Sequence, residues 1–239
     1  MPQKTNLNIS PYYDDFDKED KFYKVLFKPG FPVQARELTT LQSIMQNQVE
    51  VFGSHIFKEG SVVVPGGVTF DDQYFAVKLD PTHLGTDIEV YLKNLIGTKI
   101  KGQTSLITAR IINCVTAAVS DEGHPTIYVK YQQCGPSGDF SFFQDSELLL
   151  LEESVQYGNT TLNAGSTFAS TISINATNIG SSASVSSGVY FVRGNFVRVN
   201  QQTIILEQYS NGPFARVGLQ VVETAVNAKD DPDLYDNAN

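Results

Sequence analysis

Residues 27–52, FKPGFPVQARELTTLQSIMQNQVEVF, contain the one long helical pattern of the chain and decide its architecture. Residues 28–32 are turn-forming, because proline fixes φ and glycine tolerates positive φ. The sequence therefore predicts a helix that begins near Val33 or Gln34 and ends near Gly53, whose missing side chain suits a helix end. Everything downstream has strand-like patterns. We expect a mainly β protein with one long N-terminal helix.

The helix carries a stripe of apolar residues at heptad spacing. Leu38, Leu41, Met45 and Phe52 make up the stripe, and Gln48 takes its one polar position. Such a stripe is buried against a sheet or against copies of the same helix, and the pattern alone leaves both open. Arg36 lies in the first turn, where the helix dipole disfavours a cation. We expect Arg36 either to lie exposed or to pair with a carboxylate of the preceding arm or of a neighbouring chain.

The chain divides into five parts by composition. These are an acidic N-terminal arm (1–24), the turn and helix (25–56), a β-domain (57–79 with 188–227), an inserted small β-barrel or sandwich (80–187), and a linker to a further C-terminal part (228–239). The β-domain is predicted from two hairpin patterns, residues 62–70 around Pro-Gly-Gly and residues 189–199 around Gly-Asn.

The predicted insertion has strand patterns of its own. They cover residues 88–91, 99–100, 106–119, 126–132 and 147–151. Residues 154–187 are rich in Ser, Thr, Asn, Gly and Ala, which favours exposed, short and weakly packed strands with long loops. Cys114 and Cys134 lie on the two arms of one predicted hairpin, where Cys114 falls opposite about residue 131. The offset favours two reduced thiols.

Charge and composition exclude several classes of function. The 26 acidic residues outnumber the 17 basic ones for a net charge of −9, which argues against a nucleic-acid partner. The N-terminus lacks the basic flank and apolar core of a signal peptide, and no stretch is long enough for membrane insertion. We therefore expect a protein that is made and kept soluble in a cytoplasm.

The motifs of common catalytic and metal sites are absent from the sequence. His55, His83 and His124 share no metal-ligand spacing, and no phosphate-loop, nucleophile-elbow or dinucleotide glycine pattern occurs. The acidic cluster at residues 14–20 lacks the glycine of a calcium loop, which favours a solvated arm or one that docks on basic groups. The sequence predicts no enzyme, no cofactor and no metal.

Several motifs resemble a family of virion structural proteins from contractile-tailed phages, including those that infect cyanobacteria. The resemblance lies in residues 27–48, 52–53, 56–61, 188–197, 201–209, 216–218 and 233–238, and covers 84–187 only loosely. It implies a component of the tail, baseplate or tail fibre that is assembled in the host cytoplasm. Fibre-like parts of such tails are commonly trimeric. The resemblance implies no catalytic residues.

The leading hypothesis is a structural protein of the tail that anchors through its arm and helix. Its predicted assembly interface is Arg36, Leu38, Leu41, Met45, Gln48 and Phe52. The predicted partners are other tail or baseplate proteins and further copies of the chain, with a trimer favoured.

Two other hypotheses compete with the structural one. The first is a host-receptor or glycan-binding module, since aromatic residues anchor sugars and interfaces. Its candidates are Tyr128, Tyr131, Phe140, Phe142 and Phe143, although core packing is the more frequent fate of such residues. The second is an enzyme acting on cell-wall or surface polysaccharide through paired carboxylates, Glu152 with Glu153 or Asp121 with Glu122. Adjacent residues of a strand point to opposite faces, which weakens both pairs.

Overall fold

A computed structural model describes residues 7–10, 12–133 and 141–235. It confirms a mainly β fold with several antiparallel sheets and one long helix near the N-terminus. The helices are α1 (Ala35–Ile56) and α2 (Glu89–Leu92), with 3-10 turns at Lys18–Asp20, Lys93–Leu95 and Pro232–Leu234. The strands are β1 (Val62–Val64), β2 (Val68–Lys78), β3 (Thr82–His83), β4 (Thr86–Asp87), β5 (Lys99–Gly102), β6 (Thr108–Val115), β7 (Thr126–Gln133), β8 (Leu148–Leu151), β9 (Val155–Tyr157), β10 (Thr160–Leu162), β11 (Thr167–Ser170), β12 (Thr177–Val185), β13 (Gly188–Val192), β14 (Asn195–Val199) and β15 (Gln202–Glu207).

Eight strands form one antiparallel sheet in the order β11-β8-β5-β6-β7-β2-β12-β15. Strand β2 comes from the predicted β-domain, yet it lies between β7 and β12, which come from the predicted insertion. The sheet therefore crosses both boundaries that the sequence suggested, at residues 80 and 187. The inserted segment contributes strands to the same sheet as its flanks.

The main core lies around the central strands of this sheet. It buries side chains such as Val77, Ile111 and Phe168 completely, together with Leu92 of the short helix α2. The sequence predicted a strand at residues 88–91, and this prediction is wrong. The carboxylate of Asp87 accepts a hydrogen bond of 2.9 Å from the amide of Glu89, which starts a helical turn instead.

Strand β12 contradicts the expectation of weakly packed strands in the Ser-rich segment. Its nine residues pair with β2 on one side and β15 on the other, and Ser181 and Ser182 are buried. Small side chains in β12 let the neighbouring backbone of the same chain approach closely. A Cβ atom on Gly180 would lie 2.5 Å from the carbonyl oxygen of Gln208. The low complexity of this segment reflects tight packing.

The predicted hairpin at residues 62–70 does not form. Strand β1 pairs with β13, whereas β2 joins the large sheet, so residues 65–67 carry the chain from one sheet to the other. Gly66 packs against the backbone of Gly188, and its carbonyl accepts a hydrogen bond of 2.9 Å from the hydroxyl of Tyr190. The predicted tight turn at Pro-Gly-Gly is therefore wrong as well, and these residues connect the two sheets without a turn.

The predicted hairpin at residues 189–199 is confirmed as β13 and β14. Its turn is formed by Arg193 and Gly194 rather than by the predicted Gly194 and Asn195, with φ of 48° and 79°, the two positive values that a tight type I′ turn requires. The amide of Arg193 donates to both carboxylate oxygens of Glu59 at 3.0 Å, which holds the turn in place. Together, β1, β13 and β14 make a separate three-stranded sheet.

Strands β6 and β7 form the hairpin that carries Cys114. Cys114 lies opposite Ile127 rather than residue 131, because β6 ends at Val115 opposite Thr126 and residues 116–125 form the connection between the two strands. The half-buried Cys114 is not part of a disulfide, and burial raises the pKa of its thiol. Cys134 lies outside the described residues, so its state stays a prediction.

Candidate assembly surface

The acidic arm docks on the first turns of α1. The guanidinium of Arg36 forms an ion pair with the carboxylate of Asp15, and the hydroxyl of Ser43 donates to Asp14 at 2.5 Å. Of the two partners predicted for Arg36, the arm carboxylate is the one that the structure provides. The carboxylate of Glu37 accepts from the amide of Gln34 at 3.1 Å, which fixes the start of the helix.

The helix ends three residues later than predicted, because Gly53 does not stop it. Gly53 is buried inside α1, and a Cβ atom there would lie 2.4 Å from the ring of Phe191 in β13. One turn earlier, Glu50 packs against Gly194. The missing side chain of Gly53 therefore allows the helix to lie directly on the three-stranded sheet.

An aromatic cluster packs at the C-terminal end of the contact between α1 and the three-stranded sheet. The ring centroids of Phe57, Phe191 and Phe196 lie 5.5 to 5.8 Å apart, within the range of favourable aromatic pairs. Phe57 follows α1 directly, whereas Phe191 and Phe196 belong to β13 and β14. The helix, the cluster and the three-stranded sheet form one packed unit.

A face of α1 that neighbours the packed one presents a narrow apolar stripe to solvent. Its five members are Leu38, Met45, Val49, Phe52 and Ile56, each 48 to 68% exposed. At about 100° per residue, these five positions fall within an arc of about 60°. Leu38, Met45 and Phe52 are spaced by seven residues, as are Val49 and Ile56. This is the seam geometry through which helices pack against one another. We call these five residues the apolar stripe.

The structure divides the predicted interface residues in two. Arg36, Leu38, Met45, Gln48 and Phe52 are exposed, whereas Leu41 is half-buried. The sequence did not predict Val49 and Ile56, because the predicted apolar stripe contained only the a and d positions of the heptad. An interface role for any of these residues stays a prediction.

Few hydrophobic side chains are buried in the described residues toward either end of the chain. Among the described residues before Tyr74, Ile44 is the one buried hydrophobic side chain, and after Val185 only Tyr190 and Phe191 are buried. Many large apolar side chains in these regions are exposed. They include Tyr12, Tyr13, Phe22, Tyr23, Leu26, Phe31, Phe70, Phe196, Phe214, Leu219 and Val222. Exposed apolar surface on this scale is typical of a protein–protein interface.

The residues behind the two competing hypotheses have structural roles. Tyr128 and Phe143 are buried, Tyr131 stacks among Phe75, Phe142 and Phe143, and Phe140 lies outside the described residues. Three of the four proposed carboxylates form ion pairs: Glu122 with Lys78, Glu152 with Lys99, and Glu153 with Arg110.

The described part of the chain contains neither a candidate metal cluster nor a helix that could span a membrane. Nowhere in residues 7–10, 12–133 and 141–235 do three His, Cys, Asp or Glu side chains gather in a way that could hold a metal ion. Within the same residues, no helix combines the length and the apolar character needed to span a membrane.

Comparison with known proteins gives one match. Residues 10–125 match the model of a family described as a domain of unknown function, DUF4815. The match is just under half of the chain and spans the docked arm, the apolar stripe and the large sheet as far as the start of β7. Comparisons with curated proteins and with solved structures found no match.

Proposed function

We propose that this chain is a structural protein of a phage tail, baseplate or tail fibre that is held in the particle by its N-terminal arm and α1. The apolar stripe carries the proposal. A helix that is already packed on a sheet through Gly53 keeps a second apolar face in water, and such a face is stabilised when a partner covers it.

The partners that fit the stripe are further copies of the chain and neighbouring tail proteins. A stripe about 60° wide with seven-residue spacing suits packing against another helix, and three copies would place three stripes around one axis. The stripe is short for self-association alone, so the exposed apolar residues at both chain ends would add contacts. The resemblance to tail proteins of contractile phages favours a trimer.

The location that follows is the virion, with assembly in the host cytoplasm. The net charge of −9 supports protein partners over nucleic acid. In this proposal the large sheet with its closed core is a rigid body, which the arm and helix fix to the particle.

A cryo-electron microscopy map of the phage that encodes the chain tests the proposal. We expect tail or baseplate density that accommodates the large sheet, with α1 at a contact between subunits. Mass spectrometry of the same purified particles should detect the chain in a fixed ratio to the other tail proteins. Its absence from purified particles would refute the proposal.

A further inference from the structure

The C-terminal segment from residue 211 to 226 is an irregular stretch without a pairing partner among the described residues. It belongs to no helix or strand, and none of its backbone groups forms a hydrogen bond with another backbone group in the described chain. Its sequence alternates like a strand, since Val217, Leu219 and Val221 fall on one face. Leu219 and Val221 are each 46% exposed. A segment of this kind gains hydrogen bonds and buried area when it joins a sheet.

The three-stranded sheet offers an open edge of matching character. Strand β14 pairs with β13 on one side and with no described strand on the other. Phe196 and Val197 of β14 are 48% and 42% exposed. An open apolar edge is a template on which another strand can form.

The segment is held close to this sheet without pairing to it. The carboxylate of Glu223 lies 3.1 Å from the guanidinium of Arg193, in the turn that joins β13 to β14. The contact places the segment at the end of the sheet where α1 also packs. Copies that associate through the apolar stripe would therefore bring their three-stranded sheets, and these segments, next to one another.

The geometry points to an exchange of strands between copies, in which the segment at 211–226 of one chain adds to the β14 edge of its neighbour. Each chain contains one unpaired segment and one open sheet edge. In a closed ring of copies, every segment pairs with the edge of the next chain, so that no segment and no β14 edge is left without a partner. Each added strand places Val217, Leu219 and Val221 on one face of the sheet, beside the exposed side chain that β14 presents on that face. The inference goes beyond the proposed function, because it concerns copies in solution and does not depend on membership of a particle.

Crosslinking between differently tagged copies tests the exchange. In a full-length background with Cys114→Ser and Cys134→Ser, one tagged chain carries Val197→Cys and the other carries Leu219→Cys. After the two chains are mixed, unfolded and refolded together, a short bis-maleimide should join them into a product that contains both tags. The matched control replaces Val197→Cys by Ile204→Cys, which lies on the outer strand β15 of the large sheet and is 48% exposed. The control should give no such product.

A double proline variant supplies a second measurement. Gln220→Pro with Val221→Pro, introduced into the chain that carries Leu219→Cys, removes two neighbouring N–H groups, of which one faces any paired strand. Since neither N–H group forms a backbone hydrogen bond in the described part of the chain, we expect an unchanged circular dichroism spectrum and loss of the mixed product. The inference is overturned if the product survives in the proline variant, if Ile204→Cys reacts as well as Val197→Cys, or if no mixed product forms. A link within one chain carrying both cysteines, without a mixed product, would also overturn it.

Discussion

Gly53 of α1 lies so close to Phe191 of β13 that a Cβ atom would approach the ring to 2.4 Å. Phe191 is 2% exposed and is held by Phe57 and Phe196, so the ring has little room to move. This contact determines which face of α1 packs on the three-stranded sheet. The face with the apolar stripe is therefore left in solvent.

Gly53→Ala should destabilise the contact between the helix and the sheet. Overpacking costs about 1–3 kcal/mol, whereas alanine regains about 1 kcal/mol of helix propensity. We expect a net loss of up to about 2 kcal/mol in the free energy of unfolding, measured in urea. Phe191→Leu in the same chain should restore part of the loss. Ser54→Ala, next in the helix and exposed, is the control. A gain in the stability of Gly53→Ala, as helix propensity alone would give, would contradict the close packing.

Glu147 organises the loops at one rim of the large sheet. Its carboxylate is buried and accepts from the amides of Thr104, Ser105 and Gln144 at 2.9, 2.6 and 2.8 Å. In Glu147→Gln, the NH₂ group of the glutamine side chain would face backbone N–H groups that now donate to the carboxylate. Donors would then oppose donors, and hydrogen bonds would be lost. Hydrogen bonds to a charged group contribute about 1.5–3 kcal/mol, and we expect a loss of this size in unfolding experiments.

Glu153→Gln is the matched control for Glu147→Gln. The Glu153 side chain is 52% exposed and lies 3.8 Å from Arg110. An exposed ion pair of this length contributes about 0–1 kcal/mol. Equal losses in the two variants would contradict the role assigned to Glu147.

Alkaline pH should destabilise the main core through the buried Tyr91 of α2. Burial raises the pKa of Tyr91 to about 12, and the hydroxyl donates to the carbonyl of Phe168 at 2.5 Å. An unfolded tyrosine has a pKa of about 10. The folded state therefore favours the neutral hydroxyl, and this stability is complete below pH of about 10 and is lost as the pH rises toward 12.

Tyr91→Phe tests this pH dependence. The variant should be less stable at pH 7, because the carbonyl of Phe168 loses its donor. Its free energy of unfolding should fall less steeply than that of the parent chain as the pH rises from about 10 toward 12. Urea titrations at each pH measure both slopes. Parallel slopes would show that Tyr91 does not titrate with the raised pKa.

The sequence predicted features that depend on neighbours along the chain. The seven-residue spacing of Leu38, Met45 and Phe52 was enough to predict a stripe on α1. The hairpin at β13 and β14 was equally local, since Gly194 supplies a turn residue between two apolar strands. Both predictions needed no knowledge of distant partners.

Features that depend on distant partners were missed. Gly53 suggested a helix end, because its reason for being glycine is Phe191, more than a hundred residues away. Strand β12 carries small side chains that give no apolar alternation, although Gly180 and Ser181 fit tightly between two strands. For Gly53 and β12 the deciding contact is with residues distant along the chain. Residues 88–91 are a local case: they alternate like a strand, but the amide of Glu89 donates to the carboxylate of Asp87 and a helical turn forms there.

The solution mass of two matched variants tests the central claim, that the apolar stripe joins this chain to its copies. Val49 lies in the stripe and Val51 lies well outside it on the same helix, and they are 48% and 49% exposed. By light scattering we expect the parent chain and Val51→Asp to have the mass of three chains, and Val49→Asp to have the mass of one. A parent chain with the mass of a single copy, or identical masses for the two variants, would contradict the claim.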